Sequence, residues 1–112
     1  MDKEKLEKYG IDYENAIKRF AGNEALYEKF MKKFAEDNHL EIGEAALADG
    51  RNSDVLEAVH ALKGVAGTLG MMELFGACSA VVSAIRNDTI DNLPDLMTEV
   101  RVEFDKACEA VN

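Results

Sequence analysis

Apolar residues between positions 53 and 69 recur at the spacing of an α-helix. Neighbouring members of the set are four, three, four and three residues apart, which places them on one side of a helix. The set is Val55, Val59, Leu62, Ala66 and Leu69. A helix with such a stripe must bury it against other elements. This stretch therefore constrains the fold more than any other.

Three further stretches carry the same periodicity and can supply those elements. They cover residues 23–48, 71–86 and 93–111, and we expect the first to bend at the polar run 36–39. Two shorter helical segments, at 3–9 and 12–20, precede them. Short turns separate all of these segments, and neighbouring helices joined by short turns pack antiparallel. The sequence predicts an all-α fold, an antiparallel up-down four-helix bundle in one domain over residues 1–112, with the short N-terminal segments covering one end.

Net charge excludes some classes of partner. The chain has 22 acidic and 13 basic residues, a net charge of −9. Nucleic acids and anionic membranes carry the same sign of charge, so we expect neither as a partner. Cys78 and Cys108 lack metal-ligand spacing, and the chain opens with charged residues instead of a signal peptide. These features favour reduced thiols and a cytoplasmic location.

A second stripe on the central helix carries the candidate chemistry. His60, Lys63, Gly64 and Gly67 recur at helical spacing and point away from the apolar stripe. A glycine inside a helix costs about 1 kcal/mol relative to alanine, so the two glycines need a compensating role. Because they turn away from the apolar stripe, we interpret them as bare backbone that lets another molecule approach His60.

The residue types of this stripe suit phosphoryl transfer. A neutral imidazole is a competent nucleophile toward phosphorus, and a lysine one turn away can balance charge on phosphoryl oxygens. The chain has no phosphate-binding loop of the G-x-x-x-x-G-K-[ST] type and no glycine-rich nucleotide motif. We therefore expect a phosphocarrier, with phosphotransferase chemistry but no kinase or ATPase activity of its own.

The sequence His60-x-Leu62-Lys63-Gly64, followed by Gly70, resembles the signature of histidine-containing phosphotransfer (HPt) domains. Residues 12–27 are similar to the first helical hairpin of that family. The resemblance implies that His60 accepts a phosphoryl group from the aspartate of a receiver domain and passes it to another receiver. Lys63 would balance phosphate charge, and Gly64 would leave room for the phosphate and the partner.

The same resemblance implies the partners and cofactors. Response-regulator receiver domains or a hybrid sensor histidine kinase would be the partners. No cofactor would be bound by this chain itself, because the receiver supplies the Mg²⁺. We expect a monomer, since the face of the helix that carries His60 must remain accessible to the partner.

One position departs from the family pattern. Family members often carry a glutamine or another polar side chain about 22 residues after the histidine, where this chain has Val82, with Ser79 and Ser83 nearby. The group that orients the imidazole could be either a serine hydroxyl or a water molecule. Leu56, one turn before His60, belongs either to a docking patch or to the boundary of the core.

Two other functions are compatible with parts of the sequence. Glu36 with His39 and Glu57 with His60 form two Glu-x-x-His pairs, as in di-iron helical bundles. Ligands in such bundles point into the core, whereas Glu57 and His60 lie off the apolar stripe, so this alternative ranks second. A non-catalytic adaptor bundle would leave the outward stripe of histidine and glycine unexplained.

Overall fold

Helices form nearly all of the regular structure in the computed structural model, which describes residues 1–112. In chain order they are α1 (Lys3–Lys8), α2 (Tyr13–Arg19), α3 (Glu24–Phe34), α4 (His39–Ala48), α5 (Asn52–Leu69), α6 (Met72–Arg86) and α7 (Leu93–Val111). Strand-like pairing is limited to one isolated bridge between Ile11 and Met71. The predicted all-α class is confirmed.

Helices α4 to α7 form the bundle. α5 packs mainly against α4 on one side and α6 on the other, α6 packs against α7, and α7 contacts α4 to close the ring. The three N-terminal helices lie against this bundle. α1 contacts α7, α2 contacts α5, and α3 contacts both α5 and α7. None of the seven helices is both long enough and apolar enough to cross a bilayer.

The segment between α3 and α4 differs from the prediction. A single bent helix was expected over residues 23–48, but α3 ends at Phe34 and α4 begins at His39. Asp37 explains the break, because its carboxylate accepts a hydrogen bond of 2.9 Å from the backbone N–H of His39. An aspartate that bonds to nearby backbone in this way competes with the helical pattern. The helix is therefore interrupted here, and α3 packs against α5 and α7 as a separate helix.

One hydrophobic core runs through the bundle. All five residues of the predicted α5 stripe are buried, and Val55, Val59, Leu62 and Ala66 have no exposed surface. Aromatic rings from α3 and α7 also meet in the core, with the centroids of Phe34 and Phe104 4.9 Å apart. The periodicity of α5 therefore identified the buried face of the central helix correctly.

Helices α2 and α3 have side-chain caps at their N-termini, and the central helix α5 does not. Asp12 and Asn23 each accept a backbone hydrogen bond, from Asn15 and Leu26 respectively. α5 starts at Asn52 with Arg51 as its N-cap, and no side chain caps its first turn.

Candidate functional site

The C-terminal end of α5 is fixed by a glycine. Gly70 ends the helix in the left-handed region, with φ of +80°, and its carbonyl accepts a hydrogen bond of 2.8 Å from the backbone N–H of Asp12. A Cβ at this position would lie 2.6 Å from the carbonyl oxygen of Asp12. Only glycine combines this backbone conformation with such a close approach. The junction attaches the end of α5 to the start of α2.

A buried tyrosine satisfies a second backbone group at this end. The hydroxyl of Tyr27 donates a hydrogen bond of 2.7 Å to the carbonyl of Leu69. Burial raises the pKa of Tyr27 to about 12, so the hydroxyl stays protonated and remains a donor. The last carbonyls of a helix have no partner within the helix. Tyr27 therefore anchors the end of α5, a role that helical periodicity does not reveal.

Halfway along α5, the outer face presents an accessible imidazole. His60 is exposed and forms no hydrogen bond or ion pair with the rest of the protein. Gly64, one turn further on, is also exposed, and a Cβ there would meet nothing within 4 Å. The space above Gly64 is open, so a second molecule can approach the ring across bare backbone.

Lys63 lies beside an aromatic ring of α6. Its Nζ is 5.3 Å from the centroid of Phe75, a distance typical of a cation–π contact. Burial raises the pKa of the Cys78 thiol to about 12, and the positive charge of Lys63 opposes this shift. The ammonium of Lys63 therefore lies near the seam between α5 and α6. Phe75 had not been singled out in the sequence.

Gly67 needs a different explanation from the one expected. A Cβ at Gly67 would lie 3.2 Å from two carbon atoms of the Phe75 ring. The absence of a side chain at Gly67 thus permits close packing of α5 on α6. The helical spacing had grouped Gly67 with Gly64 as clearance for a partner. Only Gly64 is open in this way, and Gly67 is a packing position.

No side chain of α6 forms a hydrogen bond with the imidazole. Val82 is buried. The hydroxyl of Ser79 donates to the carbonyl of Phe75 at 2.9 Å, and the hydroxyl oxygen of Ser83 accepts from Asn87 at 3.3 Å. Both serines are therefore engaged within their own helix or its C-terminal end.

A cleft of about 530 Å³ lies between α3 and α5 and borders Gly64. Its lining includes Phe30, Phe34, Val65 and Leu69. Phe30 is 45% exposed, although it shares a helical stripe with buried residues of α3. Leu56, by contrast, packs partly buried against the core, which fits a boundary residue. An exposed apolar surface thus borders Gly64 on the α3 side.

The two Glu-x-x-His pairs do not form a metal centre. Glu36, Glu57 and His60 are exposed, and the ring of His39 contacts Asp37 at 2.8 Å. No group of three or more His, Cys, Asp or Glu side chains is arranged to hold a metal ion. The geometry gives the di-iron alternative no support.

The fold and the outer face of α5 together define a class of protein. A helical bundle that exposes one histidine in the middle of a helix, beside a lysine and bare backbone, is suited to carrying a phosphoryl group. The family model of the Hpt domain matches residues 26–112. The chain therefore belongs to the Hpt domain family, and its function is histidine phosphotransfer in a two-component phosphorelay.

A solved structure has the same fold. The chain is similar to histidine-containing phosphotransfer protein B (HptB) from Pseudomonas aeruginosa PAO1, with a TM-score of 0.82 and 21% sequence identity. The similarity covers 91% of this chain and 90% of the other. At this identity the comparison establishes the fold. A comparison with curated proteins gives no significant match.

Proposed function

We propose that His60 is the phosphoryl-accepting residue and that receiver domains are both its donors and its acceptors. The observation that carries this proposal is the exposed imidazole of His60 beside the open backbone of Gly64. The chain has only two histidines, and His39 already contacts Asp37. His60 is therefore the histidine with free access to a partner.

The transfer is a displacement at phosphorus. A ring nitrogen of His60 attacks the phosphorus of an aspartyl phosphate with its lone pair, and the nitrogen–phosphorus bond forms as the bond to the carboxylate oxygen breaks. The aspartate leaves with the electron pair as a free carboxylate, and the second ring nitrogen keeps its proton. The reverse reaction, on the aspartate of another receiver, returns the phosphoryl group.

Lys63 supplies electrostatic support for this reaction. Its stem is flexible, and its ammonium lies one helical turn from His60, against Phe75. From there it can move toward phosphoryl oxygens as their charge develops, which is the use of lysine as a mobile point charge. Mg²⁺ belongs to the receiver, whose own site binds it, so this chain needs no metal ligands.

The cleft beside Gly64 extends the proposed contact with the receiver. Phe30 exposes an apolar ring there, next to the open backbone that the donor aspartate must approach. Large aromatic side chains in accessible clefts frequently provide much of the binding energy of an interface. We include Phe30 and Val65 in the docking surface, and the partner surface should present an apolar side chain to them.

Label transfer tests the proposal. Receiver domains are phosphorylated with radiolabelled acetyl phosphate and Mg²⁺, then mixed with the wild-type chain, His60→Gln or His39→Gln. Wild type and His39→Gln should become labelled, and His60→Gln should not. The label should be lost in acid, because a phosphoramidate bond is acid-labile. Equal labelling of all three chains, or a label that survives acid, would contradict the assignment of His60.

A further inference from the structure

Positive charge is concentrated in one stretch of this acidic protein. Residues 18–33, which include the end of α2 and most of α3, contain five basic and two acidic residues, a net charge of +3. The rest of the chain has 8 basic and 20 acidic residues, a net charge of −12. Both acidic residues of the stretch already have cationic partners, because Glu24 pairs with Lys3 and Glu28 pairs with Lys32. The stretch is therefore a basic region in an otherwise acidic protein.

Three cations of this stretch lie at or beside the cleft between α3 and α5. Lys33 belongs to the cleft lining, and its Nζ is 5.9 Å from the centroid of the Phe30 ring. Lys29 precedes Lys33 by one helical turn, on the same side of α3. From α2, Nη1 of Arg19 donates a hydrogen bond of 3.5 Å to the carbonyl of Thr68, which also lines the cleft. All three cations are exposed and form no ion pair, and we call them the basic rim.

The carboxylate inside this cleft does not neutralise the basic rim. Asp37 belongs to the lining, but its Oδ1 accepts a hydrogen bond of 2.9 Å from the backbone N–H of His39 and lies 2.8 Å from Nδ1 of the same residue. It forms no ion pair with Lys33, although the two residues are one turn apart in sequence. The positive charge at the cleft is therefore available to another molecule.

The opposite side of α5 has the opposite charge. A second cleft, between α4 and α5, is lined by Asp54 and Glu57, and its one arginine, Arg51, is already paired with Asp54. Ala61 follows His60 in sequence and lines both clefts. His60 therefore lies near the boundary between a basic surface on the α3 side and an acidic surface on the α4 side.

A phosphorylated receiver carries charge that is complementary to the basic rim. An aspartyl phosphate is negatively charged near neutral pH, so the receiver presents negative charge at the point of contact. Opposite charges attract over roughly 10 Å at 0.1 M salt and increase the rate of encounter. The acidic remainder of this chain would repel the same site. The rim is also continuous with the docking surface at Phe30 and Val65.

We propose that the basic rim attracts the anionic phosphorylation site of a receiver domain and directs it to the cleft beside His60. This inference rests on the proposed function of His60. Charges at the rim act before contact, so they should determine the rate of association. Phe30 and Val65 act only after contact, so they should mainly determine the rate of dissociation.

Neutral substitutions isolate the contribution of the rim. The double variant Lys29→Gln/Lys33→Gln removes two of its charges, and Arg19→Gln removes the third. The double variant Lys8→Gln/Lys32→Gln is a matched control, because it changes the net charge by the same amount. Both control lysines are exposed, neither lines the cleft, and Lys32 lies on the same helix as the tested pair. Urea denaturation checks that every variant is folded.

Stopped-flow fluorescence measures the two rates. The probe is a dye-labelled receiver that labels the wild-type chain in the transfer assay, phosphorylated with acetyl phosphate and Mg²⁺. All chains carry His60→Gln, so that no transfer follows binding. At about 0.1 M NaCl, Lys29→Gln/Lys33→Gln should associate at least about threefold more slowly, with its dissociation rate unchanged. The difference should disappear at about 1 M NaCl, where charges are screened beyond about 3 Å.

The other variants locate the effect. Arg19→Gln should also slow association, whereas Lys8→Gln/Lys32→Gln should remain close to the rate of the parent chain. Equal slowing by the control would show a general effect of net charge and would overturn the proposal. Faster dissociation with unchanged association in Lys29→Gln/Lys33→Gln would show a short-range contact instead of long-range attraction, and would also overturn it.

The remaining outcomes separate failure of the rim from failure of His60. If the wild-type chain is labelled on His60 but Lys29→Gln/Lys33→Gln binds the receiver at an unchanged rate, the rim is refuted and His60 stands. Binding of a double-stranded DNA oligonucleotide that is lost in this variant would assign the rim to nucleic acid and contradict the proposal. If the wild-type chain takes no label from phosphorylated receivers, both proposals fail.

Discussion

Gly67 of α5 faces Phe75 of α6 so closely that an added Cβ would lie 3.2 Å from the ring. This contact brings α5 and α6 close together at the seam where Lys63 also meets the Phe75 ring. Alanine is favoured over glycine in a helix by about 1 kcal/mol, but at Gly67 the Phe75 ring would have to move. Gly67→Ala should therefore gain less stability than the same change at an open position.

Urea denaturation can measure this difference. Gly76→Ala on α6 is the reference, because a Cβ there would meet nothing within 4 Å. In a Phe75→Ala background, Gly67→Ala should recover the missing gain, as expected for two residues in contact. Equal gains for Gly67→Ala and Gly76→Ala in the otherwise wild-type chain would show that the contact imposes no constraint.

Gly64→Ala should affect stability and function in opposite directions. The site is open, so the substitution should raise the free energy of unfolding by about 0.5–1 kcal/mol. The new methyl group would occupy the space through which a receiver approaches His60, so phosphoryl transfer should slow. Stopped-flow or quench measurements of transfer, together with urea denaturation, check both effects. An unchanged transfer rate would refute the role of Gly64 as clearance.

Phe30→Ala should weaken the binding of a receiver without unfolding the protein. The ring is 45% exposed, so little core packing is lost, but an interface anchor would disappear. We expect the dissociation constant to rise at least about fivefold in calorimetry. Val102→Ala is the control, because Val102 is 40% exposed on α7, which does not border the cleft. Equal effects of both substitutions would place the docking surface elsewhere.

Tyr27→Phe should reveal the anchor at the end of α5. Loss of the buried hydrogen bond to Leu69 should lower the free energy of unfolding at pH 7 by about 1–3 kcal/mol. Burial raises the pKa of Tyr27 from 10.0 to about 12, so its contribution is complete below pH 10 and is lost as the pH rises toward 12. The difference between wild type and Tyr27→Phe should therefore shrink at pH 11.

Denaturation in urea at pH 7 and pH 11 checks both parts of this prediction. Burial also raises the pKa of Cys78, but both chains keep that thiol, so its effect cancels in the comparison. Tyr9→Phe, which removes a surface hydrogen bond to Glu109, should cost much less at pH 7. A cost for Tyr27→Phe no larger than this would contradict the anchoring role.

The sequence predicted the features that depend on periodicity. The α5 stripe separates a buried face from an exposed one, so the burial of Val59 and the exposure of His60 could be read from spacing alone. The break before His39 could not, because it depends on whether the side chain of Asp37 bonds to the backbone. The pattern predicted a bend there, whereas the structure has two separate helices.

Contacts between helices account for what the sequence did not reveal. Gly64 and Gly67 lie on the same side of α5, and their spacing cannot show that Phe75 reaches one and not the other. Phe30 shares a helical stripe with buried residues, yet the separation of α3 from α4 leaves it at the rim of a cleft.

The site of phosphorylation is the most direct test of the central claim. With only two histidines, a ¹⁵N-labelled chain loaded with phosphoramidate should give a simple ¹H–¹⁵N spectrum of the imidazole rings. We predict that coupling to phosphorus appears at a ring nitrogen of His60, while the signals of His39 stay unchanged. Coupling at His39, or a phosphoryl group on any residue other than histidine, would contradict the account.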